Sequence, residues 1–158
     1  MLLLLFELAG QRYGLDTRRV LEVATLPLLR TIPGTPPAVL GTFTYRGTLT
    51  PVVDLSIAVG GPPCRALFST RLVLADYPGP DARPRALGLV AERVTETLAV
   101  TDTDLQPPGV VSTAAPFLGA MARTSDGGLI QTIVPETLLS AELRAILFPE
   151  PAVSRSHA

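Results

Sequence analysis

Two stretches of this chain repeat each other, and that duplication limits the possible folds more than any single motif. Gly14-Leu15 through Val20 and Glu22 line up with Gly88-Leu89 through Val94 and Glu96 at a constant offset of 74 residues, with Arg19 matching Arg93. Downstream, Leu40-Gly41 answers to Leu118-Gly119, and Leu49 with Val52-Val53 answers to Leu129 with Thr132-Ile133 once a few turn residues are inserted. Each copy is then one supersecondary unit whose apolar face the other must help to cover. A chain of 158 residues has room for two such units around a shared core. We therefore expect one domain over residues 1–148, with the repeat carried by about 14–60 and 88–140. Residues 149–158 are small and polar and read as a disordered tail.

The units read as strands. Leu2 to Leu8 and Arg12 to Leu15 are split by Ala9-Gly10-Gln11, the grammar of a hairpin. Leu40 to Tyr45 and Thr48 to Val53 join across Arg46-Gly47, which puts Arg46 at a hairpin tip. Ala66 to Ala75, Ala86 to Val90 and Val94 to Val100 read as further strands, and Ser125-Asp126-Gly127-Gly128 turns Phe117 to Ala122 back into Leu129 to Val134. Val23 to Ile32 is broken at Pro27 and reads as an edge or irregular strand. Helices are few: Asp16 caps a single turn over Thr17 to Val20, and Asp54 caps Leu55 to Val59, which Gly60 ends. Pro135 opens a last helix with Leu138, Leu139, Leu143, Ile146 and Leu147 on its packing face. The pattern predicts an all-β fold of two linked small barrels with short helices.

Function classes can then be excluded. The net charge is −1 and every basic residue is an arginine, scattered except at Arg18-Arg19, so no basic stripe exists for nucleic acid. Without lysine there is neither a P-loop lysine nor a Schiff base. The only histidine, His157, sits in the expected tail, which leaves no Ser-His-Asp set and no histidine metal site. Cys64 is alone in a Gly-Pro loop and forms no intrachain disulfide. Asp102 and Asp104 read as turn residues, and no cofactor or metal is expected. Met1 to Phe6 lacks a basic flank and ends at Glu7, so it reads as a first strand rather than a signal sequence. No apolar run approaches the ~18 residues of a membrane span. We expect a soluble, cytoplasmic, non-enzymatic protein.

Glu22 and Arg46 stand out among the charges. They read either as a structural ion pair, as unrelated surface charges, or as the charged centre of a protein-binding surface collared by Val20, Leu21 and Val23.

The motifs in order are Phe6-Glu7-Leu8, Tyr13-Gly14-Leu15-Asp16, Val20-Leu21-Glu22-Val23, Pro33-Gly34-Thr35-Pro36, Thr44-Tyr45-Arg46-Gly47, Pro51-Val52-Val53-Asp54-Leu55 and Gly88-Leu89-Val90-Ala91-Glu92-Arg93-Val94. Together, from Phe6 to Leu147, they resemble the CheW-like adaptor family of bacterial chemosensory arrays. The resemblance implies two intertwined five-stranded SH3-like barrels. It also implies an adaptor that couples the cytoplasmic tips of chemoreceptors to the regulatory domain of a CheA-type histidine kinase, recruited to receptor arrays at the membrane. By resemblance, Val20, Glu22 and Arg46 fall at the receptor-contacting groove, with Thr44, Tyr45 and Gly47 beside them. Thr44-Tyr45 replaces the family's Asn-Leu, and Glu92 and Val134-Pro135 also depart from its pattern. The alternative is a repurposed CheW-like module of a non-flagellar pathway that binds only receptor or only kinase.

Overall fold

The computed structural model describes residues 1–78, 83–109 and 115–149. His157 and the expected tail from Glu150 onward lie outside the described residues. Ten strands carry the described fold: β1 (Leu2–Leu8), β2 (Gln11–Asp16), β3 (Val20–Ala24), β4 (Val39–Tyr45), β5 (Thr48–Asp54), β6 (Arg71–Asp76), β7 (Ala86–Ala99), β8 (Leu105–Gln106), β9 (Leu118–Arg123) and β10 (Leu129–Ile133). Helix α1 (Leu55–Ala58) follows β5, and α2 (Ala141–Leu147) closes the described chain.

The strands form two SH3-like units that share β7. In unit A the order is β7-β1-β2-β10-β9-β8; in unit B it is β3-β6-β7-β5-β4. β1 lies between β7 and β2, so Leu3, Leu5, Phe6 and Leu8 are all buried and the strand reads as a continuous apolar run instead of alternating.

Equivalent pairings recur around the two copies of the repeat. Leu5 faces Gly14 in unit A as Leu74 faces Gly88 in unit B, and the next neighbours are parallel, Gly14 with Thr132 and Gly88 with Val52. Both glycines sit where strands crowd: a Cβ on Gly88 would lie 2.8 Å from Leu72 Cδ1, and one on Gly14 would lie 3.2 Å from Leu3 Cδ1. The following strand then crosses over. Glu22 of β3 pairs with Leu74 in unit B, and its repeat partner Glu96 pairs with Leu5 in unit A. Each unit therefore donates a strand to the other, and the main core of Leu8, Leu15, Val53, Val73, Leu87, Leu89 and Ile133 is common to both.

Four local expectations are corrected. Ala86 to Val90 and Val94 to Val100 are one 14-residue strand, bent at Arg93, whose φ is 50° where the register slips between Leu5 and Glu7. The first copy makes the same crossing through a 3₁₀ turn, Thr17–Arg19, with Asp16 accepting from the Arg18 N–H at 3.0 Å. The span Ala66 to Thr70 is a loop, because its polar groups are satisfied locally: Leu67 N–H donates to Thr70 Oγ1 and Thr70 Oγ1 donates to the Arg65 carbonyl. The last helix is split into a 3₁₀ turn at Pro135–Thr137 and α2, which Ser140 caps afresh through the Leu143 N–H. β3 spans Val20–Ala24 rather than Val23 to Ile32.

Candidate functional site at the seam of unit B

β3 and β4 are the two edges of unit B and form no ladder with each other. Two ties cross the gap beside β4. At one, Arg30, in the segment that follows β3, and Thr42 of β4 exchange backbone hydrogen bonds of 2.8 and 2.9 Å. At the other, side chains bridge the gap: Tyr45 Oη and Arg46 Nη2 both donate to Glu22 Oε1, at 3.4 and 3.3 Å.

The β4–β5 turn sets up this second tie. Arg46 (φ 49°) and Gly47 (φ 79°) are its two central residues, and Tyr45 faces Thr48 across it. Consecutive positive φ values match the twist of a hairpin, but the first position disfavours arginine, since a Cβ there is crowded by the following carbonyl. The Arg46 guanidinium lies 5.2 Å from the Tyr45 ring centroid, and that ring leans on Phe43 at 6.2 Å, which links the surface charge to the core of unit B.

The arrangement contributes little to stability. The Arg46 and Glu22 side chains are 74% and 43% exposed, so the pair is worth at most about 1 kcal/mol. Around it Leu21, Val23 and Leu49 are exposed, although the repeat partners of Leu21 and Val23 are Thr95 and Thr97. The same strand thus tolerates hydroxyls in the other unit, and the apolar collar here is not demanded by the fold. A depression of about 210 Å³ between Leu21, Tyr45, Arg46, Asp76 and Pro84 adjoins the pair.

Of the sequence-predicted residues, Glu22, Tyr45, Arg46 and Gly47 come together at the seam. Thr44 is exposed on β4 opposite Leu49, and Val20 is half-buried against the main core. Asp54 is buried and caps α1 through the Ser56 and Ile57 N–H groups while also accepting from Cys64 N–H at 2.9 Å. Burial, then the nearby Asp54 carboxylate, pushes the Cys64 thiol up to about 12, which removes its nucleophilic form at neutral pH. Asp104 accepts from Thr101 and serves its turn. Among the described residues no three His, Cys, Asp or Glu side chains cluster as metal ligands would, and no helix is long and apolar enough to cross a membrane.

Sequence reasoning missed two features. Buried Glu92 holds Arg65 at 2.7 Å, and Arg19 contacts Glu136 at the rim of a cavity of about 520 Å³ in unit A. No local signal announces either, since the partners are brought together only by tertiary structure.

A family model described as a CheW-like domain matches residues 2–143. The chain belongs to the CheW-like family. It is similar to the chemotaxis protein CheW of Klebsiella aerogenes, 25% identical over 156 residues that span 98% of this chain and 89% of the relative. It is also similar to CheW of Treponema pallidum, 26% identical over 91% of this chain and 85% of that one. Among solved structures, the scaffolding protein TtCheW of Thermoanaerobacter tengcongensis superposes with a TM-score of 0.76 at 28% identity, covering 88% of this chain and 87% of that one. CheW-like proteins are scaffolds of chemotaxis signalling rather than enzymes, and this chain is one of them by family and by fold.

Proposed function

We propose that this protein is an adaptor that holds the cytoplasmic tip of a chemoreceptor and the regulatory domain of a CheA-type histidine kinase in one geometry. The observation that carries the reading is the Glu22, Tyr45 and Arg46 cluster, exposed within an apolar collar, in a chain of the CheW-like family. Charge at the centre with apolar residues around it is the anatomy of a transient protein interface, and an arginine there pays for a disfavoured backbone conformation that stability alone does not explain. The adaptor performs no chemistry. A change in the receptor tip shifts the kinase between two states because the shared contact differs between them. Modest single contacts suffice where many copies sit in an array. On this reading residues 1–148 act as one module, with Val20 and Thr44 flanking the contact, and the protein is cytoplasmic and recruited to receptor arrays.

Thr44-Tyr45, where the resemblance leads to Asn-Leu, favours a second reading: a module of a non-flagellar chemosensory pathway that binds only one of the two partners. Calorimetric titration into the kinase regulatory domain and into a soluble receptor signalling fragment from the same genome separates the two. Saturable binding to both supports the adaptor, and binding to one alone supports the second reading. Binding to neither removes both.

A further inference from the structure

The two copies of the repeat differ where each parallel strand ends. After β5 the chain passes through α1 and returns as residues 61–65 to fill the mouth of unit B. There Ser56 Oγ donates to the Pro62 carbonyl, Cys64 N–H donates to Asp54, and Arg65 donates to Glu92 from its backbone at 3.3 Å and from Nε at 2.7 Å. The Cys64 side chain packs on the cluster of Val52, Leu72 and Val90. After β10 the chain goes instead into a 3₁₀ turn and α2, whose Leu143 and Leu147 pack on the main core. In unit A the cavity of about 520 Å³ remains.

The strand pairings fix which residues correspond. Leu3 facing Asp16 matches Leu72 facing Val90, and Thr132 matches Val52, so three walls of the cavity are the counterparts of the residues that Cys64 packs on. Beyond the strand ends, the sequence offsets of 74 and 80 carry Glu92 to Arg18, Ser56 to Glu136 and Asp54 to Val134, and all three of these line the cavity as well. The cavity therefore has the walls of a filled site without its plug.

We propose that this cavity binds a short extended segment of a partner protein, seated as residues 61–65 are seated in unit B. The substitutions in its walls define the segment. Where Glu92 holds Arg65, unit A offers the guanidinium of Arg18, so the segment carries a carboxylate there. Where Cys64 sits, Leu3 and Thr132 accept a small apolar side chain. Where Ser56 donates to a carbonyl, Glu136 offers only acceptors, one oxygen touching Arg19 and the other buried without a partner, so the segment carries a cation or N–H donor. The order is basic, any residue, small apolar, acidic. Arg18 is paired with Asp16 at 2.7 Å, but its side chain is 78% exposed, so that pair yields readily to an incoming carboxylate. The volume lies within the roughly 300–1,000 Å³ of ligand sites, with an apolar floor and a few convergent polar groups. This proposal does not depend on the receptor reading.

The test is an NMR titration of the full chain with acetyl-Arg-Pro-Val-Glu-amide, with the reversed acetyl-Glu-Pro-Val-Arg-amide as control. We expect saturable shifts at Leu3, Asp16, Arg18, Thr132 and Glu136 with the first peptide, at a Kd on the order of 1 mM, and at least about tenfold weaker binding of the second. Arg18→Glu, at an exposed position, should keep the melting temperature, weaken the first peptide about tenfold and favour acetyl-Arg-Pro-Val-Arg-amide instead. Three results overturn the proposal: no saturable shifts, equal binding of the two peptides, or an Arg18→Glu protein that binds as the parent does. Shifts at these residues that grow with protein concentration without peptide also overturn it, by assigning the cavity to a second copy of the chain.

Discussion

Closure of unit B at the Arg30 to Thr42 bridge depends on Gly41, and a matched pair of glycine substitutions isolates the reason. Gly41 has φ 145°, and a Cβ built there would lie 2.4 Å from the Arg30 carbonyl oxygen, a backbone atom that cannot move aside without breaking the bridge. Gly47 also has a positive φ, 79°, but a Cβ there meets nothing within 4 Å. Gly47→Ala therefore costs only the left-handed conformation, about 1 kcal/mol. Gly41→Ala adds the clash, about 1–3 kcal/mol of overpacking, and weakens the two bridge hydrogen bonds, about 1 kcal/mol each. The expected total is about 5 kcal/mol, which lowers Tm by about 10–20 °C against about 2–4 °C for Gly47→Ala. Urea denaturation measures the difference, and amide exchange localises it, since the Arg30 and Thr42 N–H groups should lose protection in Gly41→Ala alone. If the two variants agree within about 1 kcal/mol, the Arg30 to Thr42 bridge does not hold unit B closed.

Other perturbations separate site from scaffold. Arg46→Ala and Arg46→Glu should change stability by no more than about 1 kcal/mol, because the ion pair is exposed and the backbone strain is unchanged by a residue that keeps its Cβ, yet weaken receptor binding about tenfold or more in calorimetry; loss of folding in either would make the pair structural. Asp54→Ala strips a buried acceptor from three N–H groups and should cost about 3 kcal/mol in urea, whereas Asp54→Ser keeps the cap and recovers about 1 kcal/mol; equal losses would mean that the Cys64 contact carries the whole effect. The Cys64 thiol is held neutral to about 12 in the folded protein, above its ordinary value of 9.0, so the folded state binds the extra proton and stability falls as pH rises above about 9. Cys64→Ser should flatten the decline between pH 9 and 10, and a parallel decline in both proteins would assign it to another group.

What the sequence made legible was what local chemistry dictates. Gly14 and Gly88 mark the repeat because strands crowd at both, and Asp54 reads as a cap because its acceptor serves the two N–H groups just beyond it. Glu22 and Arg46 were legible as two notable charges with an ion pair as one of three readings, and the sequence did not choose among them because their contact is made only by the tertiary fold. Ala66 to Thr70 has the apolar look of a strand, yet Phe68 is fully exposed and the span is held as a loop by Thr70, which accepts from Leu67 N–H and donates to the Arg65 carbonyl, while Arg65 just before it is anchored by Glu92, 27 residues away.

The duplication itself explains where function can reside. Positions held in common by the two copies, Gly14 and Gly88 or Leu5 and Leu74, are those that the paired sheets need. Where the copies differ, the fold has shown through its other half that it does not require the residue. Leu21 and Val23 stand where Thr95 and Thr97 serve equally well, and Arg18 and Glu136 stand where Glu92 and Ser56 hold a plug. The collar of the seam and the polar walls of the open cavity consist of such differences, while Glu22 at the seam's centre is shared with Glu96 and differs only in the partners that Tyr45 and Arg46 supply. Each unit is thus an internal control for the other, and exchanging Leu21 and Val23 for threonine should leave folding unchanged while reducing only what the seam binds.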